Sequence, residues 1–122
     1  MDLRTRLARI DGVVESDSAF KTSLAYWVNG TEILHFENES VVDIRLTRTA
    51  IRERRPQLRA DHRVTLRPSG SDWLTVRIDE PADEDFVVEL AEVAAAAHRA
   101  CDKGLAAAPP AGPDLARRRR WH

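Results

Sequence analysis

The 122-residue sequence contains a single cysteine, Cys101, and this scarcity excludes two kinds of site. One thiol cannot form a disulfide within the chain, and a cysteine metal cluster requires several thiols. Because disulfides are a feature of oxidising compartments, a chain without them is typical of a reducing one. The first residues, MDLRTRLARI, are charged where a secretory signal would be apolar. The sequence therefore predicts a cytoplasmic protein.

Long apolar runs and a large net charge are also missing. No stretch reaches the roughly 18 apolar residues of a membrane-spanning helix, because Glu89 and Glu92 interrupt the most apolar segment. The formal net charge of -1 is unfavourable for binding nucleic acid through bulk charge. The glycines Gly30 and Gly70 are isolated, so no glycine-rich phosphate loop is present. These absences argue against a membrane protein and against a nucleic acid as partner.

The middle of the chain has the period of two that is typical of β-strands. Asn29-Gly30 is a strong hairpin signal between apolar strands on either side, and a third strand follows at residues 41–46. Further strands are predicted at residues 62–67 and 73–78, separated by a proline- and glycine-containing turn. Short strands joined by tight turns favour a sheet of roughly five strands, mainly antiparallel.

Helical periodicity occurs at both ends of this region. Asp2 can cap a short helix over residues 2–10. Pro81 suits the first turn of a long helix that extends to about Asp102 and carries its apolar side chains on one stripe. The predicted fold class is therefore α+β, with the long C-terminal helix and the short N-terminal helix packed on the sheet.

Two connecting segments are less regular. Thr47 or Thr49 can cap a short helix through residues 51–55, which Pro56 would end. The polar stretch at residues 12–23 shows no clear period, and no element is assigned to it.

The composition changes near residue 104. Residues 105–122 are rich in alanine and proline, end in the run Arg117 to Arg120, and have little to bury. They are predicted to form a disordered tail after a single domain at residues 1–104. The arginine run could contact nucleic acid or anionic lipid, but four arginines on a flexible tail give weak, salt-sensitive binding.

Strand alternation places the polar side chains of several strands on the sheet face away from the long helix. One interpretation is a shallow pocket with an aromatic floor, a histidine that titrates near neutral pH, and charged groups that orient a ligand. The other is a solvated sheet face with cross-strand ion pairs. A tryptophan here needs cover, either from the N-terminal helix or from a ligand. The polar face is predicted to contain His35, Glu37, Asp43, Arg45, Trp73, Thr75 and Arg77, and Arg63, Thr65 and Arg67 can extend it.

Metal and serine-nucleophile sites have weak support in the sequence. His35 and Glu37 could bind a metal ion only with a third ligand, which His62 or Asp43 would have to supply. No nucleophile-elbow pattern surrounds Ser71. The sequence predicts neither a metal nor a cofactor.

Two segments, EILHFENESVVDIRLTRTAI and GSDWLTVRIDEPADEDFVVELAEVAAAAH, resemble the luciferase-domain family, small bacterial proteins related to the fungal luciferase domain. The resemblance covers about residues 32–98 and rests on His35-Phe36, on the Val-Asp-Ile-Arg-Leu strand at residues 42–46, and on Ser71-Asp72-Trp73. Fungal luciferases oxidise a hydroxylated pyrone with molecular oxygen, a chemistry that needs neither metal nor flavin. The small bacterial relatives are generally of unknown function, so the resemblance leaves open whether this chain is an enzyme.

Two hypotheses follow for the polar face. In the first, it binds a small aromatic or hydroxypyrone-type molecule, as in a cofactor-free oxygenase: His35 removes a proton, Arg45 stabilises the anion, and Trp73 stacks on the ring. In the second, it is a non-catalytic protein-interaction module. Exposed strand edges make a homodimer a further hypothesis. The candidate catalytic residues are His35, Asp43 and Arg45, and the candidate ligand-binding residues are Trp73, Ser71 and Thr75.

Overall fold

The computed structural model describes residues 1–68 and 70–100, and these form an antiparallel six-stranded sheet with helices on one face. The sheet order is β1-β2-β3-β4-β6-β5. The strands are β1 (Val14–Asp17), β2 (Leu24–Val28), β3 (Thr31–Asn38), β4 (Val41–Arg45), β5 (Val64–Leu66) and β6 (Trp73–Arg77). The helices are α1 (Leu3–Ala8), α2 (Arg48–Glu53), α3 (Arg55–Ala60) and α4 (Pro81–Ala100). The predicted α+β class is confirmed.

The predicted hairpin joins β2 to β3. Asn29 and Gly30 have φ angles of 50° and 78°, the left-handed conformation that a two-residue type I′ turn requires at both positions. Glycine adopts it without strain, and asparagine tolerates it better than most residues. The local sequence therefore determines this turn and the pairing of β2 with β3.

The sheet has six strands rather than about five, because β1 is an additional edge strand. It lies in the stretch to which no element was assigned and pairs antiparallel with β2, from Val14 opposite Trp27 to Asp17 opposite Leu24. Its side chains are mostly exposed, so it shows no alternation of apolar and polar residues. Backbone pairing with β2 holds it in place, and sequence periodicity does not report that interaction.

The single helix predicted before Pro56 is in fact two. Thr47 caps α2, and its hydroxyl oxygen accepts a hydrogen bond from the Ala50 amide at 3.2 Å. Pro56 lies in the first turn of α3, where a missing N–H costs nothing, so it starts a helix instead of ending one.

One hydrophobic core fills the space between the sheet and the helices. Helix α4 contributes Val87, Leu90, Ala91 and Ala94, which pack with the strands' inward side chains, and α1 adds Leu3 and Leu7. All of these helices lie on the same side, so the opposite sheet face must be covered by something else.

Several predictions concern residues outside the described ranges. The proposed boundary at residue 104 and the tail at residues 105–122 lie there and stay predictions. Within the described ranges, no helix is long and apolar enough to cross a membrane.

Candidate functional site

One row of side chains crosses the sheet face opposite the helices. The strand register aligns Ala25 with His35, His35 with Asp43, and Asp43 with Thr75. Directly opposed residues on antiparallel strands share a face and are close enough to interact. Three candidate site residues, His35, Asp43 and Thr75, are therefore neighbours on the face that alternation predicted.

His35 lies between two carboxylates. Its Nδ1 is 2.7 Å from Glu32 Oε2, and its Nε2 is 2.9 Å from Asp43 Oδ2. The Thr75 hydroxyl donates to Asp43 Oδ1 at 2.7 Å. His35 has no exposed surface, and Glu32 and Asp43 are 2% and 1% exposed. We call Glu32, His35 and Asp43 the buried triad.

A β-bulge brings Glu32 to this face. The pairing of β2 with β3 shifts between Tyr26 and Trp27, so Leu34 faces Tyr26 while Glu32 faces Trp27, and Ile33 is the extra residue. Such an insertion reverses the alternation beyond it. Strict alternation from His35 would point the charged Glu32 to the core and the apolar Ile33 to the polar face. This conflict was the sequence signal for a bulge. Because strict alternation was followed instead, Glu32 was not predicted as a residue of the polar face.

The segment Ser18–Ser23 connects β1 to β2 and lies over the buried triad. The Ser18 hydroxyl donates to Glu32 Oε2 at 2.7 Å, and the Ala19 amide donates to Glu32 Oε1 at 2.5 Å. The amides of Phe20 and Lys21 donate in turn to the Ser18 hydroxyl oxygen. The Glu32 carboxylate thus anchors the start of the 18–23 segment to the sheet.

Aromatic rings complete the cover. The Phe20 ring meets Trp73 edge to face with centroids 5.8 Å apart and lies 5.9 Å from the His35 ring. The His35 and Trp73 ring centroids are 5.0 Å apart. Trp73 is only 7% exposed. Its cover comes from the 18–23 segment rather than from the N-terminal helix, which packs on the opposite face of the sheet.

The surroundings of His35 favour its protonated form. Burial alone would lower its pKa, but hydrogen bonds to Asp43 and Glu32, together with their charges, outweigh burial and raise the pKa above the usual value. For Asp43, burial acts to raise the pKa, yet hydrogen bonds from its neighbours, first of all His35, hold it well below its usual range. Both ring nitrogens of the resulting imidazolium donate to carboxylates.

The charges around the buried triad balance. The Glu37 carboxylate is 3.7 Å from His35 Nε2 and 3.0 Å from the Lys21 ammonium. The Arg67 guanidinium lies 3.3 Å from Asp43 Oδ1. Three carboxylates therefore face three cations when His35 is protonated.

A metal ion would compete with these cations. His35, Glu37 and Asp43 offer one ligand atom each, and the three atoms lie within 4.8 Å of one another, so these side chains could hold an ion. However, the imidazolium, Lys21 and Arg67 already neutralise the carboxylates. We therefore interpret the cluster as a proton-holding network.

Two of the candidate residues lie apart from the buried triad. Arg45 pairs with Asp72 at 3.4 Å. The Ser71 hydroxyl oxygen accepts a hydrogen bond from the Trp73 amide at 3.1 Å and stabilises the turn before β6. The structure thus brings together His35, Asp43, Thr75 and Trp73, and the arginine beside them is Arg67 rather than Arg45.

The raised pKa of His35 predicts that stability falls as the pH rises above about 6.5. Because the folded-state pKa exceeds the usual 6.5 of an unfolded chain, protonated His35 stabilises the fold fully below about pH 6.5. This contribution is lost as the pH rises through the folded-state pKa. Urea denaturation at a series of pH values measures the decline, and His35→Gln should abolish it.

His98 provides the control for this measurement. Burial lowers its pKa, so its contribution has the opposite sign and is lost as the pH falls. His98→Gln should retain the decline with rising pH. An unchanged decline in His35→Gln would show that another group causes it.

Glu32→Gln should loosen the 18–23 segment. An amide side chain offers one acceptor oxygen where the carboxylate offers two, while Ser18, Ala19 and His35 all donate to Glu32. We expect amide hydrogen exchange at Ala19 to accelerate about tenfold or more, which corresponds to the loss of one charge-assisted hydrogen bond. Glu39→Gln, at an exposed side chain, should leave the exchange rate of the Ala19 amide unchanged. Equal exchange rates at Ala19 in the two variants would show that Glu32 does not hold the 18–23 segment in place.

The model of the luciferase domain family matches residues 30–94, more than half of the chain. The chain belongs to the luciferase domain family. No curated protein and no solved structure matches it. The matched range contains the whole buried triad and Trp73, whereas the 18–23 segment that covers them precedes it. In this luciferase-domain protein the matched range therefore spans the charged network but not the segment that covers it.

Proposed function

We propose that this luciferase-domain protein binds a compact planar molecule, of the phenol or hydroxypyrone type, on the polar sheet face beneath the 18–23 segment. The observation that carries the proposal is the buried triad lying directly against the rings of Trp73 and Phe20. Charged hydrogen-bonding groups next to flat aromatic surfaces are what a small polar ring requires of its site.

The energetic cost of the buried triad supports this proposal. Removing charges from water is expensive, and apolar side chains of similar size often stabilise a fold as well or better. All three members of the triad are nearly inaccessible to solvent, although the fold already has a complete apolar core on its other side. Buried titratable groups with opposed partners are enriched at functional sites. We therefore interpret the buried triad as part of a functional site rather than as a stabilising feature of the fold.

The ligand would enter by displacing the 18–23 segment. That segment has no regular secondary structure, and it is held on the triad through Glu32. When it lifts, a planar ring can take the place of Phe20 against Trp73. A ring hydroxyl can donate to the Asp43 carboxylate, and a ring carbonyl can accept from Arg67, whose guanidinium lies over the Trp73 ring at 5.9 Å.

The roles differ in part from those suggested by the sequence. His35 would act as a hydrogen-bond donor that keeps Asp43 ionised and oriented, since its two ring nitrogens already face carboxylates. Arg67 would take the anion-stabilising role assigned to Arg45, because its guanidinium lies beside Asp43 and over the Trp73 ring, whereas that of Arg45 pairs with Asp72. In such a site the Asp43 carboxylate would accept the hydrogen bond of the ring hydroxyl, and the Arg67 guanidinium would stabilise the negative charge that this bond places on the ring carbonyl.

The protein-interaction alternative has less support. A partner docking on the polar face would need Trp73 and His35 at the surface, and both are buried. It would instead meet the 18–23 segment, whose Thr22 and Ser23 are exposed. No aromatic or arginine anchor of the usual hot-spot kind is presented by those two residues.

A backbone-resolved NMR titration with phenols and hydroxypyrones tests the proposal. We expect shifts grouped at residues 18–23, His35, Asp43 and Trp73. His35→Gln should weaken binding at least tenfold, whereas His98→Gln, a change of the same kind on α4, should not. No shifts across the library, or shifts confined to other surfaces, would refute the proposal and favour a search for protein partners.

A further inference from the structure

The helix side of the molecule carries a groove that has no part in the proposed function. It lies between α2 and the C-terminal half of α4 and has a volume of about 430 Å³. Its apolar lining comes from Ala50, Val93 and Ala97, and its polar lining from Thr47, Thr49, Glu53 and Arg54. Volumes of about 300–1,000 Å³ with mainly apolar walls and a few polar groups are typical of small-ligand sites.

Positive charge predominates on the two short helices beside this groove, although Arg54 is the arginine that lines it. The two short helices α2 and α3 contain a single acidic residue, Glu53, among their arginines. Within the described ranges, only Arg54 of this group has an ion pair, with Glu53 at 4.0 Å, the outer limit of such a contact. The arginines of α2, α3 and their junction are Arg48, Arg52, Arg54, Arg55 and Arg59.

Arginines elsewhere in the described ranges are mostly neutralised. Six of them lie within 4.0 Å of a carboxylate oxygen on an aspartate: Arg6, Arg45, Arg63, Arg67, Arg77 and Arg99. The contrast shows that the positive charge beside the groove is a local feature, not a consequence of arginine-rich composition. A guanidinium with free donors and a planar fork matches a carboxylate well.

We propose that this groove binds a single-chain anionic amphiphile of the fatty-acid type. The alkyl chain lies along Ala50, Val93 and Ala97, and the carboxylate pairs with the Arg54 guanidinium. Glu53 opposes the ligand's charge weakly, because its side chain is 64% exposed and therefore screened by water. The apolar lining favours this ligand over a nucleic acid, whose phosphates would use the arginines but not the groove.

A titration of the full 122-residue chain with dodecanoate, kept below its micelle concentration, tests the site. Backbone NMR shifts should group at residues 47–54 and 93–97. Ala97→Trp fills the groove and should weaken binding at least tenfold. Ala96→Trp adds the same side chain at the adjacent exposed position of α4 and should leave binding unchanged.

Charge is tested separately. Arg54→Gln should weaken dodecanoate binding about tenfold, the value of one charge-assisted hydrogen bond. Arg59→Gln removes the same charge from a residue that does not line the groove, and should cost less than twofold. Because Arg54 lies on the rim, this comparison keeps the test valid even if Ala97→Trp fails to fold. Dodecylamine, with the opposite charge, should not bind.

Five results would overturn the proposal. Equal binding of dodecylamine would indicate detergent-like adsorption, and equal losses in the two tryptophan variants or the two glutamine variants would remove the groove or Arg54 from the account. Groove resonances that change when residues 105–122 are deleted would indicate that the chain's own C-terminal segment occupies the groove. Groove resonances that shift with protein concentration would indicate that a second copy of the chain binds there. The polar sheet face should show no shifts, so the outcome is separable from that of the proposed function.

Discussion

Replacing His35 with leucine should lower the free energy of unfolding by about 3–5 kcal/mol, the usual cost of removing one partner from a buried charge cluster. The substitution leaves Glu32 and Asp43 facing an apolar side chain, each almost without access to water. Leucine has nearly the volume of histidine, so the loss would report electrostatics rather than a cavity. Urea denaturation at pH 6 measures it.

Two further variants make this result interpretable. His62→Leu changes an exposed histidine and should alter stability by less than about 0.5 kcal/mol. Glu32→Gln combined with His35→Leu should cost less than the two single changes added together, because neutralising Glu32 removes one of the stranded charges. A His35→Leu protein as stable as His62→Leu would show that the buried triad is not charged as described.

Trp73→Ala should cost about 3–5 kcal/mol as well, but for a different reason. The indole is 7% exposed and packs against Phe20 and His35, so its removal leaves a cavity under the 18–23 segment. Leu24→Ala, at a side chain that is 41% exposed, is the matched control and should cost about 0.5 kcal/mol or less. Thermal unfolding followed by circular dichroism compares the two.

The stability of Trp73→Ala also decides which Trp73 variant is used to test ligand binding. If Trp73→Ala is strongly destabilised, Trp73→Phe is the appropriate variant for binding measurements because it keeps an aromatic surface and most of the volume. A Trp73→Ala protein with unchanged stability would contradict the closed arrangement of the 18–23 segment. Trp73 would then be exposed in solution, as the protein-interaction alternative requires.

Local sequence was sufficient to predict the centre of the sheet. The Asn29-Gly30 turn predicted the hairpin of β2 with β3, and alternation in β3, β4 and β6 placed His35, Asp43 and Thr75 on one face. These features depend on near neighbours in the chain or on a period that the residues themselves display. The helical stripe of α4 identified the opposite face as the core in the same way.

The missed features depend on interactions between distant residues. Strand β1 exists because it pairs with β2, and its exposed side chains carry no period. Glu32 joins His35 only because a bulge reverses the alternation of β3. The cover over Trp73 comes from an irregular segment whose position is set by hydrogen bonds to Glu32, a residue thirteen to fourteen positions away in the chain. Of these three, only the bulge leaves a signal in the sequence, which is the conflict between strict alternation and the character of Glu32 and Ile33.

The protonation state of His35 tests the central claim most directly. Long-range ¹H–¹⁵N NMR of the histidine rings distinguishes an imidazolium, with both nitrogens protonated, from either neutral tautomer. We expect that at pH 6.5, the usual pKa of histidine, His35 is mainly imidazolium because its pKa is raised, whereas His98, whose pKa is lowered by burial, is mainly neutral. A neutral His35 at that pH would mean that the buried triad carries an unbalanced negative charge, and the site described here would have to be reinterpreted.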